Sequence, residues 1–545
     1  MKKDSLIKGT LILAAAALVA RFLGIFQRVP LDHILGVDGR AHFALANTIY
    51  LTLLVIATGG IPSAISKMVS ERYALKRPEE AQRIYQASLL FGLGTGIVLT
   101  VLLYAIAPFF AVYIAKTPGA ELAIRAVAPT LLVFPVIAMM RGYFQGRQMM
   151  AAGGISQIIE QILRVVVGVG LAFLVISWGW GDGWGAAAAT FGNVIGGVGA
   201  LLVMIWYARK LKRLDAAEPL IGRNAEGLAS RIPFRSIYRE IFKMSIPIVI
   251  TAMTVQLIYM FDTSLLIRLT EGHYRYRDAV EVLGYFSFKA QSIAGIPPIL
   301  AIALSSSIIP VISAAYSLHK MGEVQRQISL VMRIVLFTGV PIALTLTAAS
   351  FSVTGFLFST TDGYAIVAAL TAGTIFQITM MTSNSVLFGL GKPRIPMRNT
   401  LVGIGLKLIC SVALAPLFGI YGLIASSTIC FIVISWLNLE AIGYEVKLNV
   451  LGRRWTPYII TIIVAIAAGW GTEVGIRNLL HSWPDKLEYL ASATAAGIVI
   501  VVLYLFMLIL LRVVTMDDAK SFPGPLRKLF VKLLKPFQRM QAGSK

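Results

Sequence analysis

Long apolar runs, a lopsided charge balance and a weak internal repeat predict an all-α polytopic membrane protein. About fourteen transmembrane helices are expected, as two six-helix lobes in a parallel pseudo-two-fold repeat plus two extra C-terminal helices. The chain has 545 residues, of which 57% are hydrophobic and only 14% charged. Soluble domains carry about 25% charged residues. Mean hydropathy is +0.78. The net charge of +23, from 49 Lys and Arg against 26 Asp and Glu, sits mostly in short segments between apolar runs. That pattern reads as cytoplasmic loops facing anionic lipid, not as a nucleic-acid surface.

Runs of about 20 apolar residues are long enough to span a bilayer. They fall near 7–35, 41–68, 84–114, 122–148, 153–178, 185–208, 241–268, 280–316, 327–357, 363–390, 397–417, 420–446, 456–478 and 488–513. The organisation expected is an N-terminal lobe over 1–208, a basic cytoplasmic linker over 209–240 and a C-terminal lobe over 241–446. Two further spans over 447–513 and an amphipathic basic tail over 514–545 follow. The tail alternates Leu526, Phe530, Val531, Leu534 and Phe537 with Arg527, Lys528, Lys532 and Lys535, as a helix lying on the inner leaflet would.

Loop charge sets the orientation. Lys2 and Lys3, then Arg72, Lys76, Arg77 and Arg83, then Arg141 and Arg147, then the linker, mark every second loop as basic. Both termini are therefore expected in the cytoplasm. Trp178, Trp180 and Trp184 cluster at an outer boundary, as interfacial tryptophans do. "GIPSAISKMVSE" after the second span resembles "SIIPVISAAYS" after the eighth, and "MMRGYFQGRQMMAAGGISQ" resembles "MMTSNSVLFGLGKPRIPMRN". The offsets are 248 for Pro62 and Pro310 (310 − 62) and 245 for Gly146 and Gly391 (391 − 146). Six spans per half gives a repeat about an axis along the membrane normal, a plan that favours a central cavity and rocking lobes.

Ionisable residues inside the spans are the candidate site, because charge at membrane depth is costly unless it meets a partner or water. Arg21 and Arg28 lie two helical turns apart on one face of the first span. Asp32 follows Arg28 at i+4, on a similar face. Lys289 lies in the eighth span, and the repeat predicts that Arg21, Arg28 and Lys289 face one substrate-binding cavity. Glu160 and Arg164 form an i,i+4 pair, read as structural neutralisation or as cavity lining. Asp262 and Lys407 are a buried carboxylate and ammonium that are candidates to pair, or to take part in ion coupling. No catalytic residue, metal ligand set, P-loop or cofactor is expected. "GLGTG" at Gly92 lies inside an apolar span and lacks the strand-to-helix context of a dinucleotide site. Cys410 and Cys430 read as packing residues.

"ARFLGIFQR" in the first span and "RGYFQGRQ" after the fourth, with the fourteen spans, resemble the polysaccharide exporters of the MOP superfamily. Within it the chain looks like the MurJ-type lipid II flippases of the Bacillus type. The resemblance implies a MOP/MATE-like fold. It also implies a bacterial cytoplasmic-membrane protein that moves lipid II, or another undecaprenyl-pyrophosphate-linked saccharide, outward by alternating access. The partners it implies are that lipid, the bilayer and cell-wall synthesis proteins, with a monomer as the working unit. It implies coupling to membrane potential, sodium or protons. Arg21 and Arg28 match the family's first-span arginines, and Lys289 stands where an eighth-span arginine is usual. Lysine keeps the charge but not the bidentate fork. Asp262 matches a seventh-span carboxylate of a sodium site, whereas Lys407 departs from that pattern. A multidrug cation exporter is the less favoured reading, because such cavities favour carboxylates.

Overall fold

The structure is a computed structural model that describes residues 6–217, 233–299, 309, 312–313, 315–448, 450–516 and 531–532. Residues 218–232 of the linker, Pro310 and nearly all of the amphipathic tail lie outside the described residues, as does the side chain of Arg21. Among the described residues there is no strand. Among the described residues, eleven helices are long and apolar enough to cross a membrane. A bent pair raises the number to twelve, against the fourteen expected.

Two compact units are present. The first comprises Met1–Phe288 with Ala415–Gly419. Its helices are α1 (Leu6–Ile34), α2 (Val37–Thr58), α3 (Ile61–Ala74), α4 (Pro78–Phe109), α5 (Ala120–Val127), α6 (Thr130–Gly146), α7 (Met150–Ser177), α8 (Asp182–Ala217), α9 (Phe234–Ala252), α10 (Thr254–Leu269) and α11 (Tyr276–Gly284). α2 and α3 are one broken span. Gly60 takes φ +70 and Pro62 opens α3, so the chain turns where a β-carbon would be strained. α9 and α10 meet at a 49° bend.

Small residues set the close helix approaches in this unit. Gly192, Gly196 and Ala200 recur every fourth residue on α8. A β-carbon on Gly192 would sit 2.5 Å from Gly168 Cα, and one on Gly196 would sit 2.6 Å from the Glu160 carbonyl oxygen. In lipid, such backbone approach replaces the hydrophobic drive that packs soluble helices. On α6, Gly142 and Gly146 do the same against Pro62 and Ser66 of α3. Gly92 and Gly96 of "GLGTG" press α4 on the α6 backbone, which accounts for that motif as packing. Around these approaches lies an apolar core that includes Ile65, Ile84, Ile137, Phe144 and Met204, with Ile237 and Ile241 of α9.

The second unit comprises Lys289–Leu414 and Ile420–Lys545. Its helices are α12 (Gln291–Ala294), α13 (Met321–Ala348), α14 (Ser350–Leu357), α15 (Tyr364–Gly389), α16 (Arg394–Phe418, whose last residues join the first unit), α17 (Ile420–Glu445), α18 (Trp455–Leu479) and α19 (Asp485–Leu510). A π-helical turn, Tyr285–Ala290, leads into α12. α18 and α19 pack on α13 through Tyr458, Ala465, Ile500 and Tyr504. They also brace α14. Lys486 of α19 donates to the carbonyls of Gly355 at 2.7 Å and Phe358 at 2.6 Å, supplying the open end of that short helix with a cation. Buried Glu473 of α18 accepts from Ser352 at 2.5 Å and pairs with Arg477 at 3.4 Å.

The repeat is plain in the helix-ending turns, and its register is 243 residues. Lys76 and His319 (319 − 76), and Gln148 and Gly391 (391 − 148), all have positive φ, between 54 and 71. The amide of Arg77 closes on the Arg72 carbonyl at 2.8 Å, as Lys320 closes on Ala315 at 3.1 Å. The amides of Met149 and Lys392 close on Phe144 and Leu387, each at 2.9 Å. The turns thus pair Gln148, not Gly146, with Gly391, two residues away from the register that matching glycine to glycine suggested. Each unit also ties its turn down with an ion pair and a tyrosine. Arg147 binds Asp215 bidentately at 2.6 and 2.8 Å and lies 4.9 Å from the Tyr73 ring centroid. Lys392 pairs with Glu445, which also accepts from Tyr316 at 3.2 Å.

Candidate functional site

The motif "RGYFQG" builds a site because its residues fall on different faces of α6. Gly142 and Gly146 face α3, as described above. Tyr143 stacks on Tyr85 with ring centroids 4.2 Å apart, and Phe144 is buried in the core. Arg141 and Gln145, four residues apart and so on one face, line a cavity of about 290 Å³. Its remaining lining is Thr58 and Pro62 at the break in the second span, Ala138 of α6, and Met149, Met150, Gly153 and Gln157 at the start of α7.

Arg141 is held in place. Its Nη2 donates to Ser156 Oγ and to Glu160 Oε2, both at 2.9 Å. The other carboxylate oxygen of Glu160 accepts from Arg164 Nη2 at 2.8 Å. One buried carboxylate therefore serves two guanidinium groups, and the group keeps one net positive charge. The buried Nε atoms of Arg141 and Arg164 find no hydrogen-bond partner among the described residues. Spacing within one helix predicts the Glu160–Arg164 pair, whereas the charge pattern places Arg141 in the loop after the fourth span. The structure corrects this: Arg141 lies within α6, more than a turn before its end. Its i,i+4 spacing to Gln145 was the signal available.

α1 packs on α7, where Gln161 Nε2 donates to the Ala20 carbonyl at 2.8 Å. Arg28 Nη1 donates to the carbonyls of Ser287 at 2.8 Å and Phe288 at 3.2 Å, on the π-helical turn, and its guanidinium lies 5.9 Å from the Phe288 ring centroid. Asp32, fully buried, pairs with Arg40 of α2 at 2.8 Å. Asp262 is buried on α10 in the first unit.

In the second unit Lys289 is 1% exposed. Its Nζ donates to the Thr360 carbonyl at 2.9 Å, Thr360 Oγ1 at 2.9 Å and the Asp362 carbonyl at 3.1 Å. Lys407 donates to Ser411 at 2.9 Å, and Ser411 shares a 2.8 Å hydrogen bond with Ser426. At the repeat register Lys407 corresponds to Arg164 (407 − 164 = 243) and Asn384 to Arg141 (384 − 141 = 243). Asn384 belongs to a neutral buried network. Asn438 donates to it at 2.6 Å and to Ser383 at 3.0 Å, and accepts from Asn399 at 2.9 Å. Among the described residues no group of three or more His, Cys, Asp or Glu side chains is arranged to hold a metal ion.

The family profile described as polysaccharide biosynthesis protein matches residues 6–316, more than half of the chain. The chain belongs to that family. The polysaccharide biosynthesis relatives include the lipid II flippase MurJ of Bacillus subtilis (strain 168). It is 27% identical over 485 residues, spanning 85% of this chain and 88% of the relative. Among solved structures, a lipid II flippase MurJ in an inward closed conformation superposes with a TM-score of 0.63 at 14% identity, over 91% of this chain and 98% of the other. An inward-facing multidrug-resistance MATE transporter of the MOP superfamily superposes with a TM-score of 0.61 at 13% identity, over 78% of this chain and 95% of the other. The fold of this family member is thus that of MOP-superfamily transporters.

Proposed function

We propose that this multi-pass membrane protein is a transporter, not an enzyme, and flips a lipid-linked saccharide precursor from the inner to the outer leaflet of the bacterial cytoplasmic membrane. Lipid II is the cargo favoured by the MurJ relative. The observation that carries the reading is the excess of cations within the apolar helices, of which the Arg141–Glu160–Arg164 group beside an open cavity is the clearest case. A diphosphate carries its charge on oxygens that arginine and lysine meet with short charge-assisted hydrogen bonds, replacing the water lost at membrane depth. Arg21 and Arg28 serve this purpose in the first unit and Lys289 in the second. The lipid tail stays in the bilayer while the head crosses by alternating access. Both termini face the cytoplasm, the protein works as a monomer, and an inside-negative potential favours outward movement of an anion by about 2.3 kcal/mol per charge per 100 mV. Sodium or protons are the candidate coupling ions, with Asp262 and Lys407 as the residues to examine.

The experiment is flipping of purified lipid precursors in reconstituted vesicles. Lipid II is expected to flip, and Arg21→Ala is expected to insert normally and abolish flipping. Normal flipping by a well-inserted Arg21→Ala protein would overturn the reading. Flipping of teichoic-acid, capsule, O-antigen or sporulation-specific precursors in place of lipid II would keep the mechanism and change the cargo.

A further inference from the structure

We propose that the 290 Å³ cavity at the junction of α6 and α7 is a saccharide subsite, which receives the sugar next to the diphosphate before the head crosses the membrane. The proposal rests on the transport reading above and adds to it a place and a chemistry. The cavity has the volume of about ten waters, at the small end of ligand sites and suited to a single ring. Its lining has the composition a sugar needs. Gln145 and Gln157 each offer an amide donor and acceptor for hydroxyl and amide groups. Met149, Met150, Ala138 and Pro62 offer apolar surface for the C–H faces of a ring. Arg141 supplies one fixed cation at the wall, where the first phosphate would lie.

The site is built, not accidental. Arg141 is locked by Ser156 and Glu160, while its buried Nε finds no hydrogen-bond partner among the described residues. Gly142 and Gly146 keep α6 close to α3, and Gly153 lines the cavity without a side chain to fill it. Loop charge assigns this end of α6 to the cytoplasm, the side from which a precursor arrives. The repeat supplies a contrast. At the register of Arg141 the second unit carries Asn384, whose carbonyl is satisfied by Asn438. A cation at the position of Arg141 is therefore a property of the first unit and not a requirement of the fold.

The test places a reporter on the wall. Ala138→Cys is made in a chain with Cys410 and Cys430 replaced by alanine, and its maleimide labelling is followed in vesicles with a water-soluble, short-chain lipid II analogue. Flipping is measured in the same vesicles. The analogue is expected to slow labelling at least about tenfold, the effect of about 1.4 kcal/mol of binding. Inorganic pyrophosphate is expected to leave labelling unchanged, and Gln145→Ala with Gln157→Ala to remove the protection. Equal protection by pyrophosphate would make the cavity a phosphate site and overturn the saccharide assignment. Flipping without any protection would overturn the subsite and leave the transport reading standing. Absence of flipping would remove the transport reading, and the subsite with it.

Discussion

Two networks at one register of the repeat differ in kind. In the first unit Arg141, Ser156, Glu160 and Arg164 form a charged group beside a cavity. In the second, Asn384 and Asn399 stand 243 residues after Arg141 and Ser156 (384 − 141, 399 − 156), and with Asn438 and Ser383 they form a neutral group whose amides answer one another. The helix-ending turns nearby are the same in both, down to the hydrogen bonds that close them. Backbone closure was therefore retained while the polar interior diverged. The fold needs polar groups at these positions to be satisfied; a cation is kept at the register of Arg164, where Lys407 stands, but not at that of Arg141, where Asn384 stands. The charge in the first unit has another reason, and the cavity beside it supplies one.

The largest effect that would sharpen this contrast comes from Glu160→Gln. It leaves two partly buried guanidinium groups without their shared carboxylate, and a loss of up to about 3 kcal/mol is expected, the lower end of the cost of stranding a buried charge. Thermal unfolding of the detergent-solubilised protein measures it, and Arg141→Ala in the same chain should recover part of the loss. An unchanged midpoint would show that the charges are solvated and the network is not structural. Next comes Asn438→Leu, which strands the amides of Asn384 and Asn399 in the second unit. About 1–3 kcal/mol is expected for unsatisfied but neutral groups. A larger loss here than at Glu160 would reverse the comparison. The smallest effects are expected at the turns themselves. Arg147→Ala and Lys392→Ala each remove a partly exposed ion pair worth about 1 kcal/mol or less. Arg147 should cost more, because its pair with Asp215 is bidentate and it stacks on Tyr73. Equal losses would show that geometry adds nothing at these turns.

Much of the fold was legible because a bilayer constrains sequence strongly. Spans must be long, apolar and helical, so most of the described helices begin and end close to where hydropathy placed them, while the eighth expected span, 280–316, is described only in part. The site was less legible. Arg141 stands six residues before Arg147, and positive-inside logic accounts for both equally well, so its place inside α6 was hidden. Asp32 shares a helical face with Arg28, yet its pair is Arg40, beyond the turn at Gly36, and helical periodicity says nothing about partners across a turn. The repeat was visible but misregistered, because glycine was matched to glycine when the shared feature is a left-handed backbone that Gln148 adopts in one half and Gly391 in the other. The Glu160–Arg164 pair was found because its spacing lies within one helix, where sequence distance and spatial distance agree.

The turn between α14 and α15 is fastened by a head with a fixed valence. An ammonium has three hydrogens, and Lys289 gives its bonds to the Thr360 hydroxyl and to the carbonyls of Thr360 and Asp362. An anion arriving at that nitrogen finds those three places occupied and gains a hydrogen only as the turn yields one. If Lys289 takes the part proposed for it, capture there and loosening of residues 360–362 would be a single exchange, while Lys486 holds the carbonyls of Gly355 and Phe358.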